Sequence, residues 1–462
     1  MSILTIKPKI LPGLEPDFLP AALFNRAFRA AIEKNGPGVP LAVCLVQKNG
    51  SHHTFRTEIL PQSQINTPDN FLYVERLVKT LLWQVGGWKI IIGGPEYIGR
   101  YIAECYSDQG IRKFDFHFMS KVYERQLEIK ITDYERVPEA DEVSQPIGRH
   151  LNGCRVGFDA GGSDRKASAV VDGEVVYSEE VIWHPKTSAD PEYHYREILS
   201  AIRTAAAKMP RLDAIGVSSA GIYIDNRVMA ASLFRKVPDD LFEKRIKNIY
   251  LDIAAEMGPV PVIVANDGDV TALAGAMDLD DVCVLGIAMG TSEAGGYVDE
   301  KGNITGWLNE LAFIPVDYNL QASIDEWSGD YGCGAQYFSQ DAIIRLAPSA
   351  GIELDGRLTP AEKLKYVQQL MSGGHKGAKL IYETIGVYLG YGLAYYAELY
   401  NIRHVLLLGR VTSGEGGNII LRFAREVLAA DFPDLAERIH LHLPDESSRR
   451  IGQSVAAASL PE

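Results

Sequence analysis

The sequence predicts an α/β protein with two similar lobes and a cleft between them, preceded by a smaller α/β unit. After residue 150, two cycles of strands and helices follow each other, and each opens on a strand pair with a glycine-rich turn. The charge balance also changes near residue 150. Residues 1–150 carry 18 basic and 17 acidic side chains, and the rest carries 28 and 43 of the totals of 46 and 60. We therefore expect the first third to form a separate unit.

Composition and charge exclude several classes of protein. Of the 462 residues, 46% are hydrophobic and 23% are charged, as in soluble globular proteins. No run approaches the ~20 apolar residues of a membrane helix, and the first residues lack the apolar stretch of a secretory signal. Five scattered cysteines without a close pair argue against a disulfide framework. We therefore expect a cytoplasmic protein that does not bind membranes. The net charge of −14 lies after residue 150, and an acidic surface of this size repels phosphate backbones, so we expect no nucleic acid as a partner of that part.

The sequence of residues 1–131 predicts an accessory α/β domain that has no catalytic chemistry of its own. An Asn-Gly pair between two apolar runs predicts a hairpin, and Thr67 followed by Pro68 predicts the start of a helix. Gly93-Gly94 lies between a strand and a helix and could hold a phosphate, but one glycine pair is more typical of a tight turn. The predicted elements are strands at 41–47, 54–60, 89–92, 114–119 and 127–131 and helices at 68–85 and from Pro95.

Residues 132–150 contain two prolines, many charges and no apolar period, which predicts a linker that a protease can cut. Residues 151–462 then form the two-lobed region. The predicted strands lie at 156–158, 167–171, 175–180, 214–218, 262–265, 282–288 and 405–408, and the helices at 191–209, 270–277, 361–369 and 378–400.

Two glycine-rich turns each follow an apolar strand. The first reads DAGGS from Asp159 to Ser163, and the second reads GTSEAGG from Gly290 to Gly296. Glycines let backbone N–H groups approach a polyphosphate, and Ser163 can add a hydroxyl donor. One such turn alone is equally consistent with a plain hairpin, but two turns in repeated halves can grip one polyphosphate. The predicted phosphate-binding residues are Gly161, Gly162, Ser163, Gly290, Thr291 and Ser292.

Two acidic residues follow strands in the same region. Asp159 could hold Mg²⁺ through water, because carboxylate oxygens suit that ion. Asp267 follows Asn266 at the carboxyl end of a buried strand, where side chains point into the cleft of an α/β fold. It could accept the proton of a substrate hydroxyl that attacks phosphorus. The alternative is that Asp267 or Asp269 caps the next helix, and the two phosphate-type turns favour the catalytic interpretation of Asp267.

A third glycine-rich loop follows the strand at 405–408 and reads GRVTSGEGG from Gly409. A purine could lie across these glycines, which makes Gly409 a candidate for the nucleotide site. The alternative is a plain loop before an amphipathic helix at 419–429.

With these residues in order, the chain from about Arg155 onwards resembles the ROK family of sugar kinases, within the actin-like superfamily. DAGGS and GTSEAGG are similar to its two phosphate motifs, ANDGDVTALAGA at 265–276 to its catalytic segment, and LLLGRVTSGEG at 406–416 to its adenosine segment. The resemblance implies two actin-like (ribonuclease H-like) lobes that close over ATP, Mg²⁺ and a sugar. It implies that Asp267 is the catalytic base, and that Asn266 and Glu310 contact substrate hydroxyls.

The sequence departs from the family at its sugar and zinc segments. The family has an E-x-G-H segment whose histidine also ligates zinc, and the matching stretch here runs from Glu310 to Phe313. Of the family's three zinc-ligating cysteines only Cys333 remains. One thiolate and no histidine cannot build a four-coordinate site, so we expect no zinc. Ala220 also replaces the proline of the family's Pro-Gly pair. The nucleotide residues are kept and the sugar pocket is rebuilt, which leaves the substrate open.

The sequence therefore predicts an ATP-dependent kinase that phosphorylates a hydroxyl of a small sugar or sugar-like molecule. The alternative is a non-catalytic sensor or regulator of the same fold that binds a sugar or a nucleotide. A repressor with an N-terminal winged helix is disfavoured, because the first third is near neutral and too long for that domain. The sequence leaves the substrate, catalytic competence and oligomeric state open, and a homodimer is compatible with it.

Overall fold

The structure is a computed structural model that describes residues 6–141, 147–444 and 446–462. Three sheets of four or five strands organise this part of the chain. One sheet belongs to the first third, and the predicted lobes contain one sheet each. Residues 142–146, within the predicted linker 132–150, lie outside the described residues. Among the described helices, none combines the length and the apolarity that crossing a bilayer requires.

The first third folds around a four-stranded sheet with helices against it. Its elements are α1 (Ala21–Asn35), β1 (Val39–Val46), β2 (His52–Ile59), α2 (Asn66–Gln84), β3 (Lys89–Gly93), α3 (Glu96–Cys105), α4 (Lys113–Val122) and β4 (Glu128–Thr132). The strand order is β2-β1-β3-β4, in which β1 is antiparallel to both neighbours and β4 is parallel to β3. The predicted hairpin turns at Gly50, whose φ of +87° suits glycine.

The first lobe contains a five-stranded mixed sheet. Its elements are β5 (Cys154–Ala160), β6 (Asp164–Val171), β7 (Glu174–Ile182), α5 (Pro191–Ala206), β8 (Ala214–Ser219), β9 (Ile222–Ile224), β10 (Arg227–Ala230), α6 (Asp239–Leu241), α7 (Ile249–Met257) and β11 (Val262–Asn266). The order is β11-β8-β5-β6-β7. β5, β8 and β11 run parallel, whereas β6 and β7 complete an antiparallel meander with β5. β9 and β10 form a separate hairpin beside this sheet.

The second lobe repeats the plan with a four-stranded sheet. Its elements are α8 (Asp267–Leu279), β12 (Val284–Met289), β13 (Glu293–Val298), α9 (Gln340–Leu346), α10 (Pro360–Ser372), α11 (Lys376–Tyr396), β14 (His404–Leu408), α12 (Glu415–Asp431), α13 (Pro433–Arg438), β15 (His440–His442) and α14 (Glu446–Ala458). The order is β13-β12-β14-β15, with β13 antiparallel to β12 and the other pairs parallel.

The last helix, α14, returns to the first lobe and packs on β5 and β8. Two strand glycines make this approach close. A Cβ on Gly157 would lie 1.8 Å from the carbonyl oxygen of Ser454, and one on Gly216 would lie 1.6 Å from that of Ala457. Any side chain at either position would push the helix off the sheet. The chain thus ends by tying the second lobe back to the first.

The structure confirms the two-lobed plan and corrects one strand. Each lobe opens on an antiparallel pair, β5–β6 or β12–β13, and continues with parallel strands. The strand predicted at 114–119 is wrong, because Lys113–Val122 forms α4. Phe114 and Phe118 are four positions apart and are therefore neighbours on one helix face. Both rings pack on Trp83 of α2, so tertiary contacts favour the helix.

The first third and the second lobe share one hydrophobic core. The ring of Phe18 lies 4.8 Å from that of Tyr388 in α11, measured between centroids. At the surface of this core, the backbone N–H of Lys9 donates to the carboxylate of Asp431 at 3.0 Å. The domain boundary at residue 131 stays a prediction. The first third and the second lobe pack against each other as parts of one core.

Candidate functional site

The candidate site lies where strands of both lobes end. β5, β8 and β11 are parallel, so their carboxyl ends meet at one edge of the first sheet, where Asp159 and Asn266 lie. α8 begins directly after Asn266 and packs against β12 and β13 of the second sheet. In its first turn, a Cβ on Gly268 would lie only 2.1 Å from the carbonyl oxygen of Gly295. α8 therefore joins the polar edge of the first lobe to the glycine turn of the second.

The N-cap of α8 is Asn266, and neither of the two predicted aspartates has that role. The Oδ1 of Asn266 accepts from the N–H of Gly268 at 2.7 Å, and its Nδ2 donates to the carbonyl of Gly221 at 2.8 Å. Asp269 is buried in the first turn and accepts from the N–H of Tyr297 at 3.1 Å. The N-cap position is therefore filled without Asp267, whose pKa the backbone N–H groups at the helix start lower, against the stronger effect of burial. The substrate contact of Asn266 stays a prediction, since its amide already bonds to the backbone.

Carboxylates surround the start of α8 and raise one another's pKa. Burial, together with the negative charge of Asp159, raises the pKa of Asp267 to about 6. Burial, together with the charges of Asp267 and Asp269, raises the pKa of Glu310 to about 7. Asp267 and Glu310 are both half-buried, so a small molecule in the cleft can reach them. A carboxylate with a pKa near 6 is ionised at neutral pH and remains basic enough to accept a proton.

The first glycine turn connects β5 and β6. Asp159 is buried beneath it and accepts from the hydroxyl of Ser218 at 2.8 Å, and burial raises the pKa of its carboxyl. The indole N–H of Trp183 donates to the carbonyl of Gly161 at 2.8 Å and steadies the turn. Gly162 and Ser163 are exposed at its tip. The tip is therefore accessible to an anion, as a phosphate turn requires.

Sequence reasoning missed two cations at this turn. The Nζ of Lys166 lies 3.7 Å from the carboxylate of Asp159 and 3.5 Å from that of Asp164, and the second cation is Lys186. Its Nζ lies 2.6 Å from the position that a Cβ on Gly162 would take, so the ammonium covers the turn. Its positive charge also lowers the pKa of Asp267, against the stronger effect of burial. Lys186 therefore lies near both the first turn and the predicted base. No local pattern in the sequence marks it, because it follows β7 in a loop that only the tertiary fold brings back to the cleft.

The second glycine turn connects β12 and β13. The N–H of Gly290 donates to the carbonyl of Ser292 at 3.0 Å, and the carbonyl of Gly290 accepts from the N–H of Gln340 at 2.9 Å. Thr291 and Ser292 are exposed. A Cβ on Gly290 would meet no atom nearer than 3.7 Å, so the space above this residue is open. The space next to Gly290 is therefore free of protein atoms, and the exposed hydroxyls of Thr291 and Ser292 lie beside it.

Gly409 brings the third glycine loop against the second. It follows β14 with a φ of +95°, and a Cβ there would lie 2.2 Å from the carbonyl oxygen of Met289, next to Gly290. Both the dihedral angle and the close approach require glycine. The predicted phosphate and adenosine loops of the second lobe are therefore adjacent.

A buried glutamate in the second turn is a further residue that the sequence did not single out. Glu293 accepts from the hydroxyl of Tyr396 at 3.3 Å, and its other carboxylate oxygen has no hydrogen-bond partner among the described residues. Burial raises the pKa of Glu293 to about 8. The side chain is therefore mostly neutral at pH 7, so it does not repel a phosphate at the turn.

Beside α8, a cavity of about 240 Å³ is lined by both lobes and by the first third. Its lining includes Asn266, Asp269 and Trp307. The turn from Gln47 to Asn49 lines the cavity from the first third. Tyr223 also contributes, and its hydroxyl donates to Ser219 at 2.6 Å. The first third therefore helps to line a cavity next to Asn266, one of the two predicted substrate-binding residues.

The residues that match the zinc segment of the ROK family do not fit a zinc ion. Phe313 is buried, and its ring stacks on Trp83 at 4.1 Å between centroids. Cys333 is buried too, and burial is the main cause of the raised pKa of its thiol, which opposes the thiolate that zinc needs. Within residues 6–141, 147–444 and 446–462, no group of three or more His, Cys, Asp or Glu side chains could hold a metal ion.

Comparison with known proteins identifies the fold. No protein-family profile and no curated protein matches the sequence. A ROK hexokinase from Thermus thermophilus is 20% identical, with 67% of this chain and 97% of that chain covered at a TM-score of 0.53. A ROK family transcriptional regulator, a homologue of the E. coli MLC protein, is 18% identical, with 67% and 79% covered at the same TM-score.

These similarities confirm the fold that the sequence predicts. The two-lobed region has the ROK fold, a pair of actin-like lobes, and about a third of this chain lies outside the match. One of the two proteins is an enzyme and the other a transcriptional regulator, so the fold by itself does not decide between catalysis and sensing.

Proposed function

We propose that the protein is an ATP-dependent kinase that transfers a phosphoryl group to a hydroxyl of a sugar or sugar-like molecule. The observation that carries the proposal is Asp267, a half-buried carboxylate with a pKa near 6 at the start of α8. It lies between two glycine turns, and Asn266 already caps its helix. The hexokinase among the structural neighbours supports the same reaction.

The turns supply groups that fit a nucleotide and its metal ion. Exposed backbone and hydroxyl donors at two tips suit a polyphosphate, and the close approach of Gly409 to Met289 brings the predicted adenosine loop next to the second tip. Bound Mg²⁺ would neutralise phosphate charge, and Asp159 would hold it through water. The nucleotide would contact Gly161, Gly162, Ser163, Gly290, Thr291, Ser292 and Gly409.

In the proposed reaction, the substrate hydroxyl oxygen bonds to the terminal phosphorus of ATP while the bond from phosphorus to the bridging oxygen breaks. ADP leaves with that electron pair, and the hydroxyl proton passes to Asp267. Lys186 would offset the negative charge of the transferred group, since its ammonium covers the first turn. Glu310 and Asn266 would orient the acceptor through hydrogen bonds to its other hydroxyls.

A coupled ADP-release assay across sugars, amino sugars and cyclitols tests this function. We expect acceptor-dependent ADP release with at least one member of the panel, and its loss in Asp267→Asn. Asp269→Asn is not a suitable control, because Asp269 is buried and bonded to the second sheet. Asp278→Asn, on the same helix away from its first turn, is the matched control. ADP release that is independent of the acceptor, or equal in Asp267→Asn, would contradict the proposal.

A second candidate function is a sensor that binds a ligand and closes without transferring phosphate. Phe313 at the position of a sugar-contacting histidine favours it, and so does the transcriptional regulator among the structural neighbours. Small-angle scattering would then show closure on ligand addition, with no ADP released from the same sample.

A further inference from the structure

One carboxylate in the second lobe is held by three cations from the first third. Asp330 lies 3.1 Å from a guanidinium nitrogen of Arg76, 3.2 Å from the Nζ of Lys79 and 2.6 Å from a guanidinium nitrogen of Arg112. All four side chains are buried, with no more than 5% exposed. Charges buried this deeply persist only when they are paired, so these contacts are strongly specified.

Two further carboxylates of the first third balance the charge. Glu75 lies 2.7 Å from Arg76 and is also bonded to Arg112, and Asp115 lies 3.1 Å from Lys79. The network thus contains three cations and three carboxylates. Only Asp330 comes from the second lobe, so it is the one ionic link in this cluster between the lobe and the first third.

Helix α2, which carries Arg76 and Lys79, also holds the backbone at Glu310. The carbonyl of Trp83 accepts from the N–H of Glu310 at 3.0 Å, and the carbonyl of Gln84 accepts from the N–H of Asn309 at 2.9 Å. These carbonyls belong to the last turn of α2, where a helix has no partners of its own for them. Phe313 then packs on the Trp83 ring. The end of α2 is therefore completed by the segment that carries Glu310.

We propose that α2 fastens the segment 309–333, by its C-terminal carbonyls at one end and by Arg76 and Lys79 at the other, where Arg112 before α4 also contacts Asp330. Arg76, Lys79 and Arg112 are then positioning residues for Glu310. The segment matches the one in which the resembling family has its zinc ligands, and the sequence lacks most of those ligands. In this chain, an ion-pair network that spans the first third and the lobe holds the segment. The consequence for substrate binding rests on the proposed kinase function, whereas the fastening does not.

Hydrogen exchange of the full chain, read by mass spectrometry, tests the fastening. In Asp330→Asn, which keeps the size of the side chain and removes its charge, we expect exchange over residues 309–314 to rise at least about tenfold. Peptides over β5 and β12 should keep the rates of the parent. Glu326→Gln is the matched control, because Glu326 lies in the same segment and its side chain is exposed. Its exchange over 309–314 should equal that of the parent.

A conservative pair protects the test against a variant that fails to fold. Lys79→Arg keeps a cation beside Asp330 and should retain the protection of 309–314, whereas Lys79→Gln should lose it. Unchanged exchange over 309–314 in both Asp330→Asn and Lys79→Gln would overturn the proposal. An equal rise in all peptides would overturn it as well, because it would show a general loss of stability.

Two kinetic measurements separate this proposal from the kinase assignment. With the acceptor found by ADP release, Asp330→Asn should raise the KM for the acceptor and leave the KM for ATP and the affinity for Mg–ADP unchanged. A rise in both KM values would contradict a positioning role. If the parent neither binds Mg–ADP nor releases ADP, the kinase function fails, and the exchange result still decides whether α2 fastens the segment.

Discussion

At the scale of single residues, the reactivity of Asp267 comes from its position at the first residue of α8, beside Asp159 and partly shielded from water. A general base contributes roughly 10²–10⁴-fold to a rate, so Asp267→Asn should lower kcat by about that factor while Mg–ADP affinity holds. Because burial raises the pKa of Asp267 to about 6, the parent should lose activity as the pH falls through about 6 and the base becomes protonated. A pH–rate profile and calorimetry check both results. Activity within a few-fold of the parent would remove Asp267 from the mechanism.

The position of Lys186 over the first turn leads to a second prediction at this scale. If its ammonium offsets charge on the transferred phosphoryl group, Lys186→Met should lower kcat roughly 10²–10³-fold. Mg–ADP lacks that group, so its affinity should change little, whereas binding of a non-hydrolysable ATP analogue should weaken. Lys208→Met is the control, because its Nζ lies over the ring of Tyr177, on the first lobe. Equal losses of ADP and ATP-analogue binding would instead indicate a general effect on the first turn.

At the scale of elements, the glycine turns differ in what their glycines do. A Cβ on Gly295 would meet Leu311 at 2.4 Å, so that glycine serves packing, whereas the space above Gly290 is open. Gly290→Val should therefore keep the melting temperature and reduce ATP affinity at least about tenfold, or ~1.4 kcal/mol. Gly356→Val, at another open glycine, should change neither quantity. Unchanged nucleotide binding in Gly290→Val, measured by calorimetry, would show that the second turn is only a hairpin.

At the scale of the whole molecule, the first third and the second lobe stabilise each other through one core. A protease that cuts within the predicted linker 132–150 should leave two pieces that elute together. A fragment of residues 147–462 alone should lack a cooperative thermal transition, because removing the first third exposes buried rings such as Tyr388. Circular dichroism and gel filtration check these results. A fragment that melts cooperatively as a monomer would show that the first third is an independent accessory domain, as the sequence predicts.

The sequence by itself determined the α/β class, the two lobes, and the order of the glycine turns and of Asn266-Asp267 along the chain. These features have local causes: an apolar run makes a strand, and glycine at its end makes a turn that exposes backbone donors. The strand predicted at 114–119 is instead part of α4, because Phe114 and Phe118 pack on Trp83 from one face of a helix.

Only the tertiary structure decided which distant residues complete the site. Lys186 reaches the first turn from another loop, and Arg76 meets Asp330 across 254 positions of sequence. Asn266 is the N-cap of α8 because the end of β11 places its amide between Gly221 and Gly268. Such contacts depend on how lobes and helices pack in space, and packing between distant segments leaves no periodic signal in the residues that take part.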